Sequence, residues 1–361
     1  MSNSKFQFSL MALALGLIFT LNSCNKSNSV KPENPEIASA LTVNLSPSSI
    51  DEKKIDAEMD ELFAKNDVRL AASKLLNTRS HVLTANVPKD YPTIQAAVDA
   101  VSPDGDVIVK AGTYTENVVV TKPGLHIKAI GEVTLKGGFN LGADADNVKI
   151  QKFNIVVAGG NGIRGRDVSG VQVMQNTVSG TGNNGIVFIN STDVSISHNT
   201  VSGINWGILL LESGVSCNNN SISQNTITSI SYASPIHLQG GCDYNFINGN
   251  VITLQTGIFN AGIILYSLSL TRQCDNNDIS NNVCKNNRTS GVWVLGGSEN
   301  TIGPNNTFNN NTEHGIYLSN GANNNNIFNN TALQNILCDI KNDGAASNVS
   351  SNNTAGCIQG F

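Results

Sequence analysis

The sequence predicts an all-β protein, a right-handed parallel β-helix of about ten coils. A short N-terminal capping helix and a helical and disordered tether lead into it. Three observations carry that prediction. A Gly-Ile unit recurs every 22–29 residues from Gly162 onward, an Asn recurs in step with it, and apolar residues alternate in short runs among Val, Ile, Thr and Asn. A repeat of this period signals a solenoid. Short alternating runs of β-branched residues make strands rather than helices.

The first landmark falls at Gly162-Ile163, Gly185-Ile186, Gly207-Ile208, Pro235-Ile236, Gly262-Ile263, Gly291-Val292, Gly315-Ile316 and Asp339-Ile340. The second is Asn176, Asn199, Asn225, Asn250, Asn282, Asn306, Asn330 and Asn353. Eight copies in register imply coils stacked at the inter-strand spacing of about 4.8 Å. An Asn at a bend can then hydrogen-bond the Asn of the next coil and the local backbone. The Asn column is therefore structural. The many Asn-x-Ser/Thr matches come from it and do not imply glycosylation.

The same register places the cysteines. Cys217, Cys242 and Cys274 each precede a ladder Asn by eight residues and should stack, either as one bridged pair or as reduced thiols. Cys284 falls in an interior column beside Val201, Ile227 and Ile252, as a small core residue. Cys338 and Cys357 are placed to staple the last coil. After Cys357 no strong cap is visible, and the oligomeric state is open.

The chain has 361 residues, 14% of them charged, and a net charge of −5. A nucleic-acid surface would need clustered Lys and Arg, so that partner class is set aside. The N-terminus reads as an export signal over residues 1–23. Lys5 precedes the apolar run Phe6 to Leu21, which is too short to span a membrane. Leu21-Asn22-Ser23-Cys24 resembles the bacterial lipobox, and that resemblance implies lipidation of Cys24 and a membrane partner through that anchor. Residues 24–50 read as a disordered tether. Residues 51–80 read as a short helical segment with Ile55, Met59, Leu62 and Phe63 at helical spacing. The β-helix is expected over residues 85–361. Outer-membrane attachment is expected, and the leaflet is open.

At the head of the β-helix stands Asp90-Tyr91-Pro92-Thr93-Ile94-Gln95-Ala96-Ala97-Val98-Asp99-Ala100-Val101. Pro92 suits a first helical turn, and Ile94, Ala97, Val98 and Val101 form one apolar face. A turn at Pro103 to Asp106 and a strand at Val107-Ile108-Val109 follow. Then come Ala111-Gly112-Thr113-Tyr114-Thr115-Glu116-Asn117 and Val118-Val119-Val120. This stretch resembles the opening of pectin-lyase-like proteins, in which a short helix caps the first coil. The resemblance covers roughly residues 85–361 and implies the fold far more than any activity.

Strand alternation assigns directions. With the Ile of each Gly-Ile pair pointing in, the next residue points out: Arg164, Val187, Leu209, His237, Ile264, Trp293, Tyr317 and Lys341. Two further along stand Arg166, Ile189, Leu211, Gln239, Tyr266, Leu295, Ser319 and Asp343. Trp206 and His314 lie just before the strand. Both tryptophans therefore fall on or beside one face with Tyr266, Tyr317, His237 and His314. Aromatic rings stack on sugars, and in the resembled proteins the equivalent face holds a polysaccharide. Long connections at 212–218, 228–234, 255–261 and 267–273 stand where such folds build clefts. The opposing reading has those loops, or the 51–77 segment, burying the face.

Polysaccharide is thus the expected partner, with Trp206, Gln239, Trp293, Tyr317, His314 and Arg272 as binding residues. The clustered Asp and Gly-His-Gly of the pectin hydrolases are absent, as are the Arg-Pro-Trp and other motifs of pectinesterases. A lyase needs less: a base, here His237 or Tyr266, and a cation beside the uronate carboxylate, here Arg272, Lys285 or Arg288. Arg164, Arg166 and Asp167 read as a solvated ion-pair group. No cofactor or metal is signalled. Ca²⁺ is compatible with a lyase, but Asp144-Ala145-Asp146-Asn147 lacks the further ligands of a Ca²⁺ loop and reads as a turn. A non-catalytic structural or adhesion role is the remaining alternative. Similar repeats also occur in periplasmic proteins that assist copper-enzyme maturation, but this chain has no Met- or His-rich tract.

Overall fold

A computed structural model describes residues 82–253, 261–269 and 271–361. The signal peptide, Cys24, the tether and the 51–80 segment lie outside the described residues. No helix among the described residues is long and apolar enough to cross a membrane.

Eleven coils of parallel strands follow the entering strand Thr84–Val87. Each coil runs through three faces, such as Ser195–Ser197, Thr200–Ser202 and Trp206–Leu211 in one coil. The next coil repeats them at Ser221–Ser223, Thr226–Thr228 and Ile236–Gln239. The predicted coil number was about ten. The additional turn comes from the first two coils, Asp106–Val120 and His126–Leu141, which precede the Gly-Ile register and run almost unbroken around the three faces.

The core is one continuous column of inward Val, Ile, Leu and Phe. The Gly of the Gly-Ile unit has a steric cause. A Cβ at Gly162 would lie 2.6 Å from Gly185 O, and at Gly291 2.6 Å from Gly315 O. The chain there approaches the next coil's carbonyl too closely for a side chain.

The Asn column forms as expected. Asn225 Nδ2 donates to Asn250 Oδ1 at 3.0 Å and to Ile196 O at 2.9 Å, and Asn225 Oδ1 accepts from Asn199 N at 2.9 Å. The residue before the ladder Asn is left-handed at Gln175, His198, Gln224, Asn281, Asn305, Asn329 and Asn352, with φ of 52–64°. Asn and its polar neighbours tolerate that conformation. Two further ladders occupy the other corners. One runs Asn220, Asn245, Asn277, Asn300, Asn325 and Asn348, the other Asn287, Asn311 and Asn335.

The helix Ile94–Ala100 buries Ile94, Ala97 and Val98 in the head of the core. Its N-cap is Thr93, whose Oγ1 accepts from Ala96 N, so Pro92 lies before the cap and not in the first turn. Glu116 accepts from Ile94 N and Gln95 N, both at 2.9 Å. Lys122 Nζ donates to the carbonyls of Val98, Asp99 and Val101. An anion thus meets the positive end of the helix and a cation the negative end.

Cys217, Cys242, Cys274 and Cys284 are free and buried, which settles the stack as reduced thiols. Burial raises the Cys284 thiol above its ordinary range, as does the Cys242 contact for Cys217. Cys338 and Cys357 are disulfide-bonded, and Cys284 pairs in register with Ile252.

Candidate functional site

The third face carries the site. Its register is Leu209↔His237↔Ile264↔Trp293↔Tyr317 in one outward column and Leu211↔Gln239↔Tyr266↔Leu295↔Ser319 in the other. Trp206, set one coil before His237, packs edge-on against its imidazole with centroids 4.9 Å apart. His237 lies 5.8 Å from Tyr266. Trp293 stacks on Tyr317 at 5.6 Å, and His314 packs on Tyr317 at 4.8 Å. Such contacts contribute roughly 0.5–1.5 kcal/mol each beyond area burial.

Trp206, His237, Gln239, Tyr266 and Trp293 line one open cavity of about 510 Å³. Tyr232, Ala233 and Ser234 from one connection, Leu268 from another, and Ile264 complete it. Tyr232 is 53% exposed and Leu268 41%, so among the described residues these two connections form a rim to the cavity. The volume falls in the ligand-site range of roughly 300–1,000 Å³. On the neighbouring coils toward the N-terminus the outward column is apolar and buried. Val187, Ile189 and Leu209 point outward yet are buried as a small satellite cluster against Trp206 and Leu211.

His237 is only 6% exposed, and neither ring nitrogen has a hydrogen-bond partner among the described residues. Burial alone pushes its pKa down to about 3. It is therefore a neutral imidazole with one donor and one acceptor. Buried polar atoms left unpaired cost about 1–3 kcal/mol each, so the imidazole is held in the cavity wall at that cost. The same neutrality makes His237 a poor proton acceptor. Trp293 is fixed by its indole N–H donating to Ser319 Oγ at 2.8 Å. Tyr317 donates to Asp343 Oδ2 at 3.2 Å, and burial followed by the Asp343 charge raises its pKa.

The structure does not bring the expected cations into the cavity. Arg272 pairs with the buried Glu212 carboxylate and donates to Glu212 O at 2.8 Å. Burial opposes the charge on Glu212, but bonds from Arg272, Gly214 N and Gly241 N outweigh it and hold the carboxyl below its usual pKa. Lys285 lies on the second face, paired with Thr253, and Arg288 is exposed in the following turn. The repeat register predicts them beside His237, but the observed strand pairing separates them. His314 Nδ1 is 3.0 Å from Cys338 O, outside the cavity lining. Arg164, Arg166 and Asp167 form no ion pair among the described residues. Arg164 donates to Asn140 and Asp167 accepts from Asn190. In the Asp144–Asn147 turn, Asp146 Oδ1 accepts from Ser169 N.

Sequence reasoning marked the long connections but missed Tyr232 and Leu268. They stand outside the repeat, so no register assigns their directions.

Comparison with known proteins bears on the fold. A family described as "Right handed beta helix region" matches residues 207–355, and "Periplasmic copper-binding protein (NosD)" matches 109–256. No curated protein matches the chain in sequence. Among solved structures, a protein of Geobacillus virus E2 superposes with a TM-score of 0.50 at 16% identity, covering 81% of this chain. This chain spans 62% of the viral one. The catalytic unit of an α-1,3-glucanase from Streptomyces thermodiastaticus gives 0.52 at 13% identity, covering 78% of this chain and 70% of its own. An alginate lyase from Paenibacillus gives 0.46 at 14%, covering 77% and 99%. The family match over 207–355 and the superpositions on the viral protein and the glucanase show the right-handed parallel β-helix fold.

Proposed function

We propose that this protein binds polysaccharide along the third face, with one sugar seated in the cavity over His237. One observation carries the reading. The chain has two tryptophans, and both line a single open cavity whose buried imidazole lacks a hydrogen-bond partner among the described residues. Apolar faces with a few polar atoms aimed inward are how proteins hold sugar rings. The glucanase and lyase named above are described as acting on polysaccharides, which agrees with that ligand class. The argument rests on the cavity.

The elimination alternative is less well supported. It asks for a base that takes a proton readily and a cation beside it. His237 resists protonation, and Arg272, Lys285 and Arg288 stand elsewhere. Incubation with uronate polymers should accordingly produce no ultraviolet-absorbing unsaturated ends, and their appearance would restore the lyase reading.

We also place the protein in the bacterial cell envelope, lipid-anchored at Cys24. The lipobox-like Leu21-Asn22-Ser23-Cys24 supports this, and the periplasmic family matching 109–256 agrees with export. Cells fed labelled palmitate should label the protein, and Cys24→Ala should abolish the label. Label that survives in Cys24→Ala would sink the anchor.

A further inference from the structure

We infer that a second binding point lies on the same face, in a cleft at Arg164, and takes an oxyanion carried by the polysaccharide, a uronate carboxylate or a sulfate ester. This rests on the polysaccharide reading and narrows it to an acidic sugar chain.

Placement comes first. Arg164 stands in the outward column that continues into Val187, Leu209 and His237. Beside it runs the column Asn161↔Asn184↔Trp206, in which Asn184 Nδ2 donates to Asn161 Oδ1 at 2.6 Å. Two coil steps separate Arg164 from the coil of Trp206, about 10 Å at the inter-strand spacing. A short oligosaccharide lying on Trp206 reaches that far. Arg164 lines a cavity of its own, of about 230 Å³, with Asn117, Gly138, Phe139, Asn140 and Asn161. The guanidinium is the one charge among these lining residues.

The polar groups there form a donor set. Arg164 Nη1 donates to Asn140 Oδ1 at 2.9 Å, which spends one of the five guanidinium N–H groups. The side-chain oxygens of Asn140 and Asn161 already accept from Arg164 and Asn184. Their side-chain N–H groups have no partner among the described residues.

The charges agree. Burial, then the like charge of Arg166, weigh against the charge on Arg164, and the opposite charge of Asp167 does not outweigh them. Asp167 itself accepts from Asn190 Nδ2 at 2.9 Å. Glu116, next to Asn117, spends both carboxylate oxygens on the amides of Ile94 and Gln95. An oxyanion would supply the missing counter-charge, presenting two oxygens to the guanidinium fork. A neutral sugar would supply none. The chain as a whole carries −5, so attraction for an acidic polymer is a property of this cleft and not of the bulk charge.

Trp206 and Trp293 are the only tryptophans, so their fluorescence reports on a chain bound along this face. The test is titration of the full-length protein with matched hexamers: galacturonate and mannuronate, each beside its methyl ester, and sulfated galactose beside plain galactose. In at least one pair the anionic member should bind at least tenfold tighter, and the advantage should shrink as salt rises. Arg164→Gln, checked for folding by circular dichroism, should bring that member down to its neutral counterpart, and Arg164→Lys should keep part of the difference. A difference confined to the uronate pairs assigns the carboxylate, and one confined to the galactose pair assigns the sulfate. An anionic advantage that survives in a folded Arg164→Gln would overturn the site. Neutral and anionic members bound alike would overturn it with no variant needed. In both cases binding lost in Trp206→Ala would leave the polysaccharide reading intact. No response to any hexamer would remove both readings.

Discussion

His237 shows how one residue's surroundings set its chemistry. Unfolded, it titrates near the ordinary pKa of about 6.5, and folded its pKa is pushed down to about 3. Between those values the unfolded chain binds a proton that the folded chain refuses, so stability falls as pH drops through that window. The slope from this residue is roughly 1.4 kcal/mol per pH unit. Urea midpoints should therefore fall between about pH 6 and about pH 4. His237→Gln, which cannot protonate, should remove the part of that fall due to His237. Equal slopes in both proteins would show that water or a ligand already reaches the ring. Trp206 is coupled to the same site. It braces His237 on one side and the Val187, Ile189 and Leu209 cluster on the other. Trp206→Ala should thus lower stability as well as binding, and Trp206→Phe should preserve the first better than the second.

At the scale of the coil, the corners rather than the strands specify the structure. Asn225→Ala leaves Asn199 N and Ile196 O buried without their bonds and takes one donor from Asn250. A loss of about 2–4 kcal/mol follows at the usual cost of about 1–3 kcal/mol per buried orphan, read as a lowered urea midpoint. Gly291→Ala should be comparably harmful, since its Cβ would meet Gly315 O at 2.6 Å and Phe308 Cβ at 2.7 Å. Much of this was legible in the sequence. The Gly-Ile and Asn landmarks gave the register, and every outward pair on the third face follows it. The second and third ladders were also legible, as Asn277, Asn282 and Asn287 five residues apart. Val171 and Val194 interrupt that column in the early coils and hide it. The cavity was legible only where it lies on strands. Trp206, His237, Gln239, Tyr266 and Trp293 have neighbours above and below that fix their direction. Tyr232 and Leu268 lie on connections without such neighbours. Lys285 was misplaced because the register was followed along one face only, whereas its strand Val283–Lys285 pairs with Val251–Thr253, one face away from Tyr266.

For the solenoid as a whole, each coil contacts only the coils before and after it, so stability is a chain of nearest-neighbour terms and the ends decide where opening begins. The head is closed. Ile94, Ala97 and Val98 cover the core, and Glu116 and Lys122 hold the helix at its two ends. The tail is different. Val349, Ile358 and Phe361 are exposed, and among the described residues strand Ile358–Gln359 pairs on one side only, with Cys338–Asn342. What ties it down is the Cys338–Cys357 bridge, closing a separation of 19 residues, supported by Asp339 accepting from Gly356 N and Cys357 N. A bridge across a loop of that size contributes about 3 kcal/mol in the chain-entropy account. Reduction should therefore open residues 349–361 before anything else. In hydrogen exchange the amides of Ser351, Thr354 and Ile358 should lose protection on reduction, or in Cys357→Ser. Those of Ile208, Ile236 and Ile263 beneath the cavity should keep it, and polysaccharide binding should persist. Loss of protection spreading at once to the cavity strands would show that the coils unfold as a single unit, and that the tail secures the binding face as firmly as the head does.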